Sequence, residues 1–484
     1  MAEAGGVWGR EHRRLTAGLV LTISAIAFEA LAVATVLPAT VADLGGLEWY
    51  GWAFSGLLLT SILGATLGGR AADRRGPAPP FAVGVALFAA GLVVAGLAPS
   101  MPVLVAGRVV QGLGSGLVGA VAYVGIGRGY PGRLRPRMLA IQSSAWVVPG
   151  LVGPAAAGLL AERFGWRLVF LGLIPLLPLA TALAVPALRR ITPAPGHAGV
   201  PADRAELWRS ARLAAGVAML LAGLARPSPL GAAGVVAGLL LAWPAGRRLL
   251  PGRRPSVQAS AAMPPTGGRR SRRDGPGDPA TIRVAVVVLG LLAVAFFGAE
   301  TFLPLALNVV RHSSLATGGL VLTSATLTWT AGSWAQARLT RRGRRRSLVV
   351  AGLGVLVVAL AGIAGVLVPG VPLLLAPVVW GLAGFGMGLA NSTLNLVMLE
   401  AADPGRQGQA SSLLQLGNTV GTALGTGFGG ALVALGERLG WPTGTAVGII
   451  DAGTVVVLLL ALAAARRLPG RARAADEPAA AGRT

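Results

Sequence analysis

The run from Leu15 to Pro38, LTAGLVLTISAIAFEALAVATVLP, is apolar for longer than the about 20 residues that a helix needs to cross a bilayer. Runs of this kind recur along the chain, separated by short loops that carry arginine. A chain patterned this way folds as a polytopic α-helical membrane protein. A membrane barrel would instead show alternating strands of about 10 residues, and the sequence has none. Composition agrees: 54% of residues are hydrophobic and 12% charged, about half the charge of a soluble domain.

The net charge of +24 would suggest nucleic acid in a soluble protein. Here the arginines fall in alternate loops, so they read as membrane-surface charge, and no nucleic-acid partner is expected. All 42 basic residues are arginine. Without lysine there is no phosphate-binding Gly-x-x-x-x-Gly-Lys loop, so ATP hydrolysis by this chain is not expected. With no cysteine, disulfides, thiolate metal sites and cysteine nucleophiles are excluded. His12, His197 and His312 do not cluster, and no nucleophile triad is found. The sequence therefore points away from an enzyme and implies no cofactor and no metal. His12, Arg13 and Arg14 could open a signal peptide, but the following run is too long and contains Glu29, so it reads as helix 1.

Spans are expected at about 15–38, 49–69, 80–98, 102–127, 138–160 and 166–188. Arginine is dense before the first and after the second, fourth and sixth, which puts the N-terminus and those loops in the cytoplasm. Leu213–Ala225 and Leu230–Ala245 are short apolar runs broken by Arg226-Pro227-Ser228-Pro229. They read as a transmembrane hairpin, with two membrane-surface helices as the alternative. Six more spans follow, at about 284–307, 315–337, 347–368, 371–399, 409–435 and 443–465. The expected organisation is a cytoplasmic N-terminus (1–14), a six-helix bundle (15–190), a linker with the hairpin (191–246), a disordered basic cytoplasmic linker (247–283), a second six-helix bundle (284–466) and a cytoplasmic tail (467–484). The fold class is all-α with fourteen spans, or twelve without the hairpin, in the plasma membrane, as a monomer with both termini cytoplasmic.

The two bundles resemble each other. GLLLTS at Gly56–Ser61 recurs as GLVLTS at Gly319–Ser324, and each heads a helix ending in an arginine-rich turn. The preceding helices each carry an acid upstream of a proline: Glu29 with Pro38, and Glu300 with Pro304. Two matched bundles around a midplane site permit alternating access.

Four segments resemble the major facilitator superfamily, and within it the fourteen-helix drug:proton antiporters. FEALAVATVLP (Phe28–Pro38) resembles the helix 1 signature, with Glu29 at the acid's position and Ala34 in place of the usual Asn. GRAADRRG resembles the Gly-x-x-x-Asp-Arg-x-Gly gating loop through Gly69, Asp73, Arg74 and Gly76, with Pro77-Ala78 replacing the basic pair. RVVQGLGSG (Arg108–Gly116) resembles the helix 4 signature with its buried arginine. PGLVGPAAAG resembles the helix 5 antiporter signature through Gly150, Gly153, Pro154 and Gly158, with Leu159 where a second glycine usually closes it.

The resemblance implies a proton-coupled exporter of amphiphilic small molecules. Glu29 lies 9 residues before Pro38, about 13 Å along helix 1, and Arg108 lies 6 residues past Pro102, about 9 Å along helix 4, so the two can share a depth. A proton or cationic substrate would compete with the guanidinium for the carboxylate. A static ion pair is the plainer reading of the same residues. Glu300 and Asp451 are further intramembrane acids and candidates for proton coupling. Asp73 and Arg74 can form a gate latch at the cytoplasmic face, or a solvated turn. Gln142, Trp146, Asn391, Asn395, Gln415 and Asn418 are candidate linings of a substrate cavity. Glycine stripes at Gly112/Gly116 and at Gly417, Gly421, Gly425 and Gly429 predict close helix approach. Rival readings are an uptake permease, an envelope-lipid exporter, or a non-transporting receptor or scaffold.

Overall fold

The computed structural model describes residues 6–191, 204–226, 228–249, 279–339, 344–368, 370–402 and 407–469. Most of the linker expected to be disordered, and the tail beyond 469, lie outside the described residues. Every regular element among the described residues is helical. Twelve helical stretches are long and apolar enough to cross a membrane.

The first bundle holds α1 (Arg13–Leu44), α2 (Tyr50–Arg75), α3 (Ala78–Gly96), α4 (Met101–Gly129), α5 (Arg135–Ser144), α6 (Val147–Phe164), α7 (Arg167–Leu171) and α8 (Leu176–Leu188). α1 runs through Pro38 to Leu44 and stops at Gly45, whose φ of 68° is left-handed. α2 carries the arginine-rich turn as its last turn and stops at Gly76, φ 82°.

Two spans expected as single helices are each broken, and proline explains both. Pro149 has no N–H for the carbonyl of Ala145 four residues back. That carbonyl accepts instead from the Ser24 hydroxyl of α1 at 3.0 Å, and α5 passes to α6 at this point. Pro175 likewise cannot bond Leu171, where α7 ends.

The hairpin forms α9 (Arg204–Leu224) and α10 (Pro229–Leu249). Its helices touch backbone to backbone: an added Cβ on Gly216 would lie 2.6 Å from Ala242 N, and one on Gly223 2.5 Å from Gly231 O. α9 lies along α2 and α15, with Leu213, Ala214, Val217 and Leu221 packed on Leu59 and Ala423. The Ser210 and Thr66 hydroxyls share a hydrogen bond of 3.0 Å. α10 turns Leu239, Leu240 and Trp243 outward.

The second bundle holds α11 (Pro279–Arg311), α12 (Leu315–Leu339), α13 (Arg345–Val366), α14 (Leu375–Ala401), α15 (Gln407–Arg438) and α16 (Thr443–Ala465). α12 is too rich in serine and threonine to count among the twelve apolar stretches, yet it packs between α14 and α6. Several of its hydroxyls bond backbone carbonyls: Ser324 donates to Val321 O, and Thr328 reaches Gly381 O on α14, whereas the buried Thr323 hydroxyl has no partner among the described residues. The glycine stripes do pack closely. Gly112 and Gly116 face α2 at Leu57 and Ser61, while Gly421, Gly425 and Gly429 face α11 at Gly290, Val294 and Phe302.

The bundles meet along two seams, α6 against α12 and α2 against α15, with α1 against α11 between them. Several close contacts across them sit at the end opposite the arginine-rich turns. The Tyr50 hydroxyl donates to Thr301 O at 3.2 Å. A Cβ on Gly51 would lie 2.5 Å from Gly430 Cα, and one on Gly158 2.8 Å from Ala316. Glu162 accepts from Ala316 N at 2.9 Å. At the arginine-rich end the described ion pairs stay within one bundle: Asp73 with Arg128, and Arg345 with Glu400.

Candidate functional site

Glu29 is on α1 and Arg108 on α4, and the helices bring them together at the same depth. Each is 1% exposed, and the Arg108 guanidinium donates to Glu29 Oε1. Arg108 also donates through Nε to Ala53 O on α2 at 2.8 Å. Gln111, fully buried one turn along α4, accepts from Arg108 at 3.0 Å and directs its Nε2 to Glu29 Oε1 at 3.4 Å. One carboxylate, one guanidinium, one amide and one backbone carbonyl thus tie α1, α2 and α4. An ion pair out of water needs such further hydrogen bonds to offset desolvation. Gln111 was legible as the same-face neighbour of Arg108 at i+3, but its spacing gave it no role.

Glu300 sits on α11 and is partly exposed, with no hydrogen bond or ion pair to any described residue. One turn back, Phe296 and Phe297 join an aromatic group with Trp329 and Trp380. Phe296 stacks on Trp380 at 5.4 Å and meets Trp329 edge-on at 5.6 Å. Trp380 Nε1 is buried without a partner. Neither this group nor its link to Glu300 was read from the sequence, because its members come from three helices. Asp451 is buried on α16, whose packing partners are α11, α13 and α15. It therefore stands in the second bundle, apart from the Glu29–Arg108 pair.

The gating residues fall at the end of α2. Asp73 pairs with Arg128 of α4, and Arg74 is exposed. Gly69 faces open space, and its neighbour Gly68 makes the close contact, 2.9 Å from Leu117 for an added Cβ. Gly76 provides the left-handed end of the helix.

The helix 5 residues form an inter-bundle surface. Gly150, Pro154 and Gly158 recur every four residues and face α12: an added Cβ on Gly150 would lie 2.3 Å from Thr326, and one on Gly319 2.2 Å from Pro154 O. Gly153 faces Phe28 on α1 instead, beside Glu29 in the chain. The candidate cavity residues are spread over the break between α5 and α6 (Gln142, Trp146), α14 (Asn391, Asn395) and α15 (Gln415, Asn418). Gln142 Oε1 is buried without a partner, Trp146 is 45% exposed, and Asn395 bonds Asn391 O within its own helix.

Two matched helical bundles, the first of which holds a buried charge pair, are the build of a multi-pass membrane transporter. The Major Facilitator Superfamily model matches residues 17–426 and 343–483, and the chain belongs to that family. It is 28% identical over 455 residues to a probable multidrug-efflux transporter of Mycobacterium tuberculosis, covering 90% of this chain and 91% of that one. It is 25% identical over 468 residues to the methylenomycin A resistance protein of Streptomyces coelicolor, covering 92% of each. Among solved structures, the POT family transporter PepTSo superposes with a TM-score of 0.67 at 13% identity, over 94% of this chain and 98% of that chain. The human organic anion transporter MFSD10 superposes with a TM-score of 0.57 at 18% identity, over 94% and 99%. These last two establish the fold alone. Transporters of this family carry small-molecule substrates across a membrane, and no catalytic family is indicated.

Proposed function

We propose that this chain is a proton-coupled exporter of amphiphilic small molecules that works by alternating access in the plasma membrane, as a monomer with both termini in the cytoplasm. The observation that carries the reading is the buried Glu29–Arg108 pair with Gln111. A carboxylate held in a protein interior by one guanidinium can be released by a proton, and its release loosens α1 from α4. Arg108 keeps its charge and its bond to Ala53 O, so the proton acts on a fixed background.

The two bundles are chemically unequal. Glu29 is neutralised by its arginine, whereas Glu300 is partly open and has no described cation beside it. Glu300 with its neighbouring aromatic rings suits a positively charged, partly apolar substrate. The inter-bundle contacts gathered opposite the arginine-rich turns support a state closed at the outer end. Asp73 with Arg74 and Gly76 serves as the cytoplasmic latch, and the α6 glycines as the surface on which the bundles rock. The relatives' names, probable multidrug-efflux transporter and methylenomycin A resistance protein, support export over uptake.

The test is drug uptake into inverted vesicles carrying the purified chain, driven by a proton gradient. In vesicles with an acidic lumen, wild type should accumulate a lipophilic cation while protons leave, so that the lumen alkalinises, and Glu29→Gln should abolish gradient-driven transport while leaving binding. Unchanged transport by Glu29→Gln would refute proton coupling at this pair.

A further inference from the structure

Two prolines of the α5–α6 span each leave a carbonyl without an N–H four residues on. Pro149 frees that of Ala145, and the Ser24 hydroxyl of α1 takes it at 3.0 Å. Pro154, inside α6, frees that of Gly150 in the same way. Gly150 is on the side of α6 that meets α12, where an added Cβ would run into Thr326. Its carbonyl is therefore at a seam between the bundles. In membrane helices, Ser and Thr side chains of neighbouring helices satisfy groups freed by proline.

The seam carries a matching donor. Thr323 follows Gly319 by four residues and precedes Thr326 by three, so it shares the side of α12 that these two turn to α6. Gly319 meets Pro154 and Thr326 meets Gly150, which sets Thr323 at a level between Gly150 and Pro154. Thr323 is 7% exposed, and its hydroxyl has no partner among the described residues, not even the carbonyl one turn back in its own helix. Thr328 and Thr330, further along α12, both make that local bond. A buried donor and a proline-freed acceptor thus stand on opposite sides of one seam with the bond between them unmade. Gly153, in the same turn as the freed carbonyl, packs on Phe28, the chain neighbour of Glu29.

We propose, on the strength of the rocking motion in the proposed function, that Thr323 is a positioning residue whose hydroxyl donates to Gly150 O when the outer mouth is open and lets go when it is closed, as here. Gly150 and Pro154 lie near mid-height of the stretch Arg137–Phe164, where rocking bundles turn past each other without parting. That turn brings hydroxyl and carbonyl together. Both are idle with the outer mouth closed and satisfied with it open, so the pair favours opening. The Gly-Pro step thereby supplies an acceptor to the opposite bundle in one state of the cycle.

The chain has no cysteine, so Ser55→Cys gives a single thiol. Ser55 is buried on α2 at the seam with α15, in one cleft with Gly51 and Gly430, and a membrane-impermeant maleimide reaches it when the outer end opens. The labelling rate of the full-length chain in nanodiscs then follows the open population. Thr323→Val should label about tenfold more slowly, the factor for one buried hydrogen bond lost. Thr323→Ser keeps the donor and should label as the parent does. Pro154→Ala restores an N–H that claims Gly150 O, so it should slow labelling likewise, and Thr323→Val added to it should slow it no further. Thr323→Val also replaces an idle hydroxyl of the closed state by a methyl, so its unfolding midpoint should hold or rise, whereas a bond that merely supports the fold would lower it. Circular dichroism and a monodisperse elution profile confirm folding of each variant. Labelling unchanged in Thr323→Val, slowing that still adds in the Pro154→Ala background, or a fallen midpoint overturns the proposal. If labelling ignores Thr323→Val while vesicles still exchange drug for protons, the one-state bond fails and the exporter stands. If labelling follows the expected pattern but vesicles carry nothing, the exporter fails and the bond stands.

Discussion

Arg108 turns its Nε to the carbonyl oxygen of Ala53, 2.8 Å away on α2, while its terminal nitrogen faces Glu29 on α1. One side chain thereby fixes the separation of three helices. Arginine can do this and lysine cannot, because the guanidinium donates in two directions at a fixed angle.

Arg108→Lys should therefore fold but lose at least about 10-fold in transport, since the bond to Ala53 and the charge pair cannot both be kept. Arg108→Met is harsher. It strands a buried carboxylate and should cost about 3–5 kcal/mol, read as a lower unfolding midpoint in detergent. The double variant Glu29→Gln/Arg108→Met should recover much of that stability without recovering transport.

Gln111→Leu removes the acceptor of one Arg108 donor and the amide facing Glu29. The expected loss is about 1–3 kcal/mol in stability, the range for leaving buried polar groups without partners. Thermal unfolding checks it, and Gln111→Glu should be worse than Gln111→Leu because it adds a second carboxylate beside Glu29.

Glycine substitutions should separate contact from spacing. Gly158→Leu forces a side chain into the Ala316 backbone, and Gly150→Leu into Thr326, so both should arrest transport with the protein still inserted. Gly69→Ala meets nothing within 4 Å and should transport as wild type, although Gly69 belongs to the gating pattern. Gly68→Leu, one residue away, should not. Parallel transport and surface-expression measurements decide each case.

Glu162→Ala removes the acceptor for Ala316 N at the start of α12. Loss of such a cap costs about 0.5–2 kcal/mol, whereas Glu162→Gln keeps an acceptor oxygen and should cost less. The two variants should separate in unfolding midpoint in that order.

What was readable in advance follows the range of each interaction. The spans came from runs of about 20 apolar residues, a local signal. Glu29 stood out as an acid inside an apolar run and Arg108 through its likeness to the helix 4 signature; counting from Pro38 and Pro102 put them at similar depth, and their side chains pair in the structure. The breaks near Ala145 and Leu171 were missed because a proline in an apolar run can kink a helix, cap it or pass through, as Pro38 does. Whether Ala145 O finds Ser24 is a tertiary fact. Gly150, Pro154 and Gly158 were named through the helix 5 signature, which says neither that they share one side nor that α12 meets it. Phe296, Trp329 and Trp380 were invisible as a group, since residues on three helices leave no spacing to detect. Gly69 belongs to the gating pattern, while the close contact with α4 is made by its neighbour Gly68, which the pattern does not mark.

The α9–α10 hairpin leaves the molecule with unlike flanks. On one side it stands outside the line where α2 meets α15, with α9 against that line and the bare face of α10 beyond it. On the other, α6 and α12 have no such cover among the described residues. In a bilayer that took up the hairpin, lipid tails would reach the α6–α12 seam directly and the α2–α15 seam only across α9 and α10.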